Sequence, residues 1–137
     1  MDRDSASAQA LANEPNVEFV QADLEASEWP FGNRTFSAIV VTNYLHRPLF
    51  PALKRSLAPG GLLVYETFAA GNAEFGRPSN SDYLLRPREL LDAFGVDMRV
   101  LGFEDGFAEQ PKPAMVQRIA LRNSEVRAVL PPTECHL

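Results

Sequence analysis

The sequence predicts an α/β fold: a parallel sheet with crossover helices, closed by an antiparallel hairpin. Three observations predict it. Residues 36–41 (Phe-Ser-Ala-Ile-Val-Val) and 62–68 (Leu-Leu-Val-Tyr-Glu-Thr-Phe) are short, largely apolar runs with many β-branched side chains. That is the pattern of strands buried on both faces. Between them, residues 48–57 place Leu49, Phe50, Leu53 and Leu57 on one helical stripe, with Lys54 and Arg55 outside it. Residues 98–103 and 114–122 read as two more strands, and the join at 104–113 has no helical pattern, so the two pair antiparallel.

The remaining elements follow in order. Asp4 can cap a short helix over residues 5–12, which Asn13 and Pro15 end. Residues 17–21 (Val-Glu-Phe-Val-Gln) alternate for most of their length, which reads as a half-exposed edge strand. Ala58-Pro59-Gly60-Gly61 stops the helix at 48–57. Strand, helix and strand with short joins make a right-handed βαβ unit. Residues 69–85 form a long loop carrying Gly71, Asn72, Gly76, Pro78, Ser79 and Asn80, and loops of that length in a small domain tend to be functional or disordered. Residues 87–94 form a helix with Leu90, Leu91 and Phe94 inward and Gly95 at its end. The expected organisation is one domain over residues 1–123 and a loose tail over 124–137, which contains Pro131-Pro132.

Composition bounds the function. The chain has 137 residues, 45% of them hydrophobic and 23% charged, which fits a globular core and excludes wholesale disorder. Its net charge of −5 lacks the footprint of a general nucleic-acid binder. No apolar run approaches the ~20 residues of a membrane-spanning helix, and the first residues carry no signal-peptide pattern. Cys135 is the one cysteine, so no internal disulfide forms. These features lead to the expectation of a cytoplasmic protein with no membrane and no nucleic-acid partner; the small-molecule substrate expected of it comes with the family resemblance given below.

In parallel sheets of this kind, ligands bind beyond the carboxyl ends of the strands. The side chains expected there are Asp23 and Leu24, Asn43, Tyr44, His46 and Arg47, then Glu66. Asn43 offers both a donor and an acceptor, and Tyr44 offers a ring face to a cation. His46 could take a proton from a nucleophile; its alternative is a surface histidine. Arg47 suits an anionic substrate or, equally, a helix entry. Glu66 at a buried strand end needs either a function or an arginine partner. The loop with Asn72, Phe75, Gly76 and Arg77 either covers the site, with Arg77 on the substrate, or is a mobile connector. His46 and His136 are the only histidines, and no Cys or carboxylate spacing matches a metal site.

The order of these pieces resembles the class I S-adenosylmethionine-dependent methyltransferases. The resemblance is carried by the acidic start Asp2-Arg3-Asp4, the strand end Val20-Gln21-Ala22-Asp23-Leu24 and the loop Trp29-Pro30-Phe31. It continues through Thr35 to Val41 and the turn Leu57-Ala58-Pro59-Gly60-Gly61-Leu62-Leu63. The subgroup is similar to small bacterial methyltransferases related to tellurite-resistance enzymes. The resemblance implies S-adenosylmethionine as cofactor. Asp2 would then face the ribose hydroxyls, Asp23 and the Leu24 backbone the adenine, and Asn43 and Tyr44 the cofactor or substrate, with Tyr44 and His46 the weak catalytic candidates. It also implies the strand order three-two-one-four-five-seven-six. Two departures stand out: no Gly-x-Gly-x-Gly occurs, and Ser37 stands where the family usually has Asp. The expectation is therefore an N-terminally truncated methyltransferase sheet lacking central strands, with a bare edge at Ile39 open to pairing with a second copy. A non-catalytic remnant or interaction module of the same fold is the alternative. A nicotinamide oxidoreductase is disfavoured, because Gly-x-Gly-x-x-Gly is equally absent and the terminal hairpin fits poorly.

Overall fold

A computed structural model describes residues 15–26 and 28–125. They fall into two compact units divided after Arg34. The helix expected at 5–12, Asp2, and the tail beyond residue 125 lie outside the described residues.

In the first unit the strand expected at 17–21 does not form. Residues 17–20 are irregular, and Gln21 makes a single bridge. Alternation records which side chains would face a core, but a ladder exists only where a neighbouring strand supplies its hydrogen bonds. Two turns follow, at residues 24–26 and 30–33. Trp29 and Phe31 pack edge to face there with centroids 5.3 Å apart.

The second unit holds a four-stranded sheet. Its strands are β1 (Phe36–Thr42), β2 (Leu57–Phe68), β3 (Arg99–Ala108) and β4 (Ala114–Arg122), in the order β1-β2-β4-β3. β1 and β2 are parallel, with Ile39 opposite Leu63 and Thr42 opposite Glu66. β4 runs antiparallel to both β2 and β3. This is the four-five-seven-six half of the expected strand order. The helices are α1 (Phe50–Arg55) and α2 (Glu89–Phe94). The helix expected at 48–57 is shorter than its stripe: a single 3-10 turn, Arg47–Leu49, precedes α1, and Leu57 opens β2. Pro48 and Pro51 fall in the first turn of the 3-10 segment and of α1, where their missing N–H groups are not needed, whereas one continuous helix would place Pro51 in its interior. Likewise Pro87 lies ahead of α2, and Arg88 at its N-cap takes a left-handed φ of 61°.

The sheet is covered unequally. On β2, Leu57, Leu63, Tyr65 and Thr67 are buried while the alternate residues are half-buried. The buried face packs against Leu53 of α1 and Leu90 and Phe94 of α2, joined by Ile119 and Leu121 of β4. Phe50, Tyr65 and Phe94 form an aromatic cluster with centroids 4.9–6.1 Å apart. β1 was expected to be buried on both faces. Instead, among the described residues, it is the terminal strand of the sheet, with Ala38 exposed and Val40 66% exposed.

Two joins also differ from expectation. β3 continues to Ala108, into the expected join at 104–113: Glu104 is exposed and reaches Arg118 (3.4 Å), while Asp105 accepts from the Gln117 side-chain amide (3.2 Å) and the Arg88 N–H (3.1 Å). Residues 69–85 are a fastened strap rather than an irregular loop. The Leu85 N–H donates to the Phe68 carbonyl (2.9 Å) and the Ala70 N–H to the Leu85 carbonyl (2.8 Å). Two single 3-10 turns, Asn72–Glu74 and Ser81–Tyr83, lie between these points. Asn72 is buried; its Oδ1 accepts from the Met115 N–H (3.0 Å) and its Nδ2 donates to the Pro78 carbonyl (3.0 Å).

Pro59-Gly60-Gly61, expected to be a turn, lies inside β2, where the pairing with β1 shifts register between Phe36↔Leu57 and Ala38↔Leu62. Gly60 has a φ of 74°, a conformation that glycine adopts without steric cost. A Cβ on Gly61 would meet the Ala58 carbonyl oxygen at 2.8 Å and the Phe36 carbonyl oxygen at 3.1 Å. Both are backbone atoms, so the strand itself would have to shift. Gly61→Ala is expected to lower stability by about 1–3 kcal/mol, read as a reduced denaturant midpoint.

Candidate functional site

β1 ends at Thr42, and the chain turns at once. Asn43 adopts a φ of 54°, a left-handed conformation that Asn tolerates better than most residues. Its N–H donates to the Glu66 carbonyl (2.9 Å), which fixes the turn to β2. The Asn43 side chain is left exposed. Tyr44 is half-buried, and its carbonyl accepts a 2.6 Å hydrogen bond from the Tyr65 hydroxyl. Leu45 then dips into the core at 7% exposure, and His46 emerges half-buried at the entry to the 3-10 turn. One buried leucine between two half-buried polar residues holds both Tyr44 and His46 at the carboxyl end of β1.

Tyr65 is missed by sequence reasoning, because it reads only as core. Its ring lies in the aromatic cluster and its hydroxyl reaches out to the site turn. Burial pushes that hydroxyl's pKa well above the ordinary phenol value, so it stays a donor throughout the working pH range.

Arg47 is committed within the fold. Its Nε and one terminal nitrogen grip both oxygens of Glu89, the latter contact at 2.9 Å. The same guanidinium donates to the carbonyls of Leu84 (3.0 Å) and Asp82 (3.2 Å). The Glu89 carboxylate also accepts from the Arg86 N–H (2.9 Å). Burial pushes the Glu89 carboxyl up, but the hydrogen bonds from Arg47 and Arg86 and the positive charge of Arg47 outweigh it and hold the pKa below the ordinary value. The Glu89 hydrogen bond raises the Arg47 pKa in turn. Of the two roles open to Arg47, the geometry supports the structural one: it anchors the site turn. Glu89 lies 42 residues away in sequence, and nothing local signals it.

Glu66 is less buried than a strand-end carboxylate was expected to be. It pairs with Arg118 (3.3 Å), which also reaches Glu104 (3.4 Å), with the Glu66 side chain 40% exposed. Exposed pairs of this kind contribute little stability, so the row leaves Glu66 at the rim beside Thr42. Arg77 is exposed on the strap. Asp23 and Leu24 belong to the first unit, where Asp23 Oδ1 accepts from the Glu25 N–H (3.1 Å) in a local turn. The second unit therefore brings Asn43, Tyr44, His46, Arg47 and Glu66 to one edge of the sheet. No group of three His, Cys, Asp or Glu side chains suited to a metal ion occurs among the described residues.

Two outcomes check this geometry. Tyr65→Phe strands the Tyr44 carbonyl and is expected to cost about 1 kcal/mol in denaturant unfolding. For Glu89, the folded state binds the proton more weakly than the unfolded chain does. Its contribution is therefore present above the ordinary value of 4.5 and lost as pH falls through the lowered folded value. Glu89→Gln is expected to lower the melting temperature at neutral pH and to flatten its fall across the acidic range, followed by thermal melts in a pH series.

No family model matches the chain, and no curated protein matches it in sequence. Solved structures do match. TehB from Haemophilus influenzae superposes with a TM-score of 0.65 at 14% identity, over 88% of this chain and 45% of its own. A SAM-dependent methyltransferase from Methanosarcina mazei gives 0.60 at 14%, over 90% and 80%. The [4+2]-cyclase SpnF gives 0.60 at 15%, over 88% and 60%. The chain thus spans about half the length of TehB. At these identities the likeness concerns the fold, and the fold is that of the class I S-adenosylmethionine-dependent methyltransferases.

Proposed function

We propose that the chain is the C-terminal part of an S-adenosylmethionine-dependent methyltransferase acting on a small-molecule acceptor. The observation that carries this reading is the site turn, Asn43 to Arg47. It lies at the carboxyl end of β1, on a sheet whose order and directions match that fold, and it is braced from below by Tyr65 and from the side by Glu89.

The residues present fit part of the cofactor's chemistry. Asn43 is exposed in a fixed turn and offers an amide donor and acceptor to hydroxyl or ring-nitrogen groups. Tyr44 offers a half-buried ring suited to a cationic sulfonium. Asp23 and Leu24 are proposed for the adenine. S-Adenosylmethionine, when bound, would supply a methyl group already activated as an electrophile. The chain's own task is then orientation and exclusion of water rather than covalent catalysis. His46 is proposed to accept the proton that the acceptor nucleophile releases. Arg47 is proposed as a positioning residue, with Glu66 and Arg77 toward the acceptor.

A second reading is a non-catalytic module of the same fold. The [4+2]-cyclase shows that this fold is not tied to one reaction. Calorimetric titration of the full chain with S-adenosylhomocysteine separates the two. Saturable 1:1 binding, weakened at least tenfold by Asn43→Ala, is expected; absence of binding overturns the proposal in favour of the non-catalytic reading.

A further inference from the structure

The strap carries an aromatic side chain that the core does not use. Tyr83 is 53% exposed, although the chain on both sides of it is fastened. Asn80 Oδ1 accepts from the Asp82 N–H (2.9 Å), the Tyr83 N–H donates to the Asn80 carbonyl (3.0 Å) and the Leu84 N–H to the Ser81 carbonyl (3.2 Å). Leu84 and Leu85, which follow, are buried. The carbonyls flanking Tyr83, those of Asp82 and Leu84, are the two that the Arg47 guanidinium holds. Tyr83 is therefore fixed beside the turn that carries Tyr44 and His46, within the same unit. A ring on an ordered backbone at the rim of a site offers a large apolar contact together with a polar tip.

Given the methyltransferase reading, on which this rests, we infer that Tyr83 contacts the methyl acceptor and that the acceptor is an uncharged planar molecule, an aromatic or heteroaromatic ring. Two observations set that class. The charge on the turn is already matched: Arg47 grips both oxygens of Glu89, and its other contacts go to backbone carbonyls. An anionic acceptor would have to break this pairing and leave the Glu89 side chain, only 14% exposed, without its cation. Breaking a partly buried pair costs more than a rim contact returns. What the turn and the strap present instead is ring surface, from half-buried Tyr44 and exposed Tyr83, with the exposed Asn43 amide as a neutral donor and acceptor. Rings pack on rings with preferred offset or edge-to-face geometry, so this surface discriminates a flat molecule from a saturated one of equal size. Phe75 and Phe107 supply the contrast. They too are exposed, but they lie against each other with centroids 5.3 Å apart, so their contact is made within the fold.

Magnetic-resonance titrations of the full, isotope-labelled chain with phenol, indole, benzoate and cyclohexanol test the inference. Phenol and indole are expected to shift the amide signals of residues 43–46 and 81–84 to saturation. Benzoate, which adds a charge, and cyclohexanol, which removes planarity, should bind about fivefold more weakly or worse. Tyr83→Ala should weaken phenol and indole about fivefold, Tyr83→Phe should retain indole, and Phe107→Ala should leave both unaltered. The inference is overturned by shifts that do not saturate or that map elsewhere on the chain, by benzoate or cyclohexanol binding as well as phenol, or by indifference to Tyr83→Ala. Titration of the unsubstituted chain with S-adenosylhomocysteine keeps the two readings apart. If it binds while the aromatic probes do not, the acceptor class is wrong and the methyltransferase reading stands. If the probes bind at Tyr83 and S-adenosylhomocysteine does not, the assignment of that site to a methyl acceptor is overturned.

Discussion

The second unit depends on the ion pair between Arg47 and Glu89. It joins three segments far apart in sequence: the turn after β1, the strap that follows β2, and the start of α2. A partly buried pair is a poor stabiliser when its geometry is loose, because both charges lose water. Here the guanidinium meets the carboxylate in a two-pronged arrangement, and its remaining contacts go to backbone carbonyls. The desolvated groups are thereby satisfied, and the geometry becomes specific. Removing either partner would leave the other charge half-buried among carbonyls or carboxylates that cannot rearrange.

Gln117 plays the corresponding part on the other side of α2. It is fully buried on β4; its Oε1 accepts from the Leu90 N–H (2.7 Å) and its Nε2 donates to the Arg86 carbonyl (3.0 Å). A six-residue helix has little stability of its own. α2 is held by these side chains and by the burial of Leu90 and Phe94, so it is a product of the tertiary structure rather than a cause of it.

The four strands of the sheet were legible because their signal is local: each is a short apolar run bounded by turn residues. Their ends were less legible. Glu104-Asp105 reads as a loop because solvent exposure on a terminal strand has the same composition as a turn. The candidate site divides the same way. Asn43, Tyr44 and His46 could be named from their place after a strand, which is a rule of topology. The commitment of Arg47 and the reach of Tyr65 could not, since each depends on a partner brought near only by the fold. The expected strand at 17–21 shows the converse: a correct alternation does not make a strand where no ladder forms.

The bond from Tyr65 to the Tyr44 carbonyl has one more consequence. The ring that makes it packs directly against Phe50 and Phe94, so the loop's resting position is set from inside the core. Local opening of the aromatic cluster and displacement of the loop are therefore coupled through that bond. A ligand that selects the ordered loop would slow breathing of the core, and a cavity cut beneath Phe94 would weaken that ligand from a distance. Substitutions that impair recognition should therefore be found among residues that never touch the bound molecule.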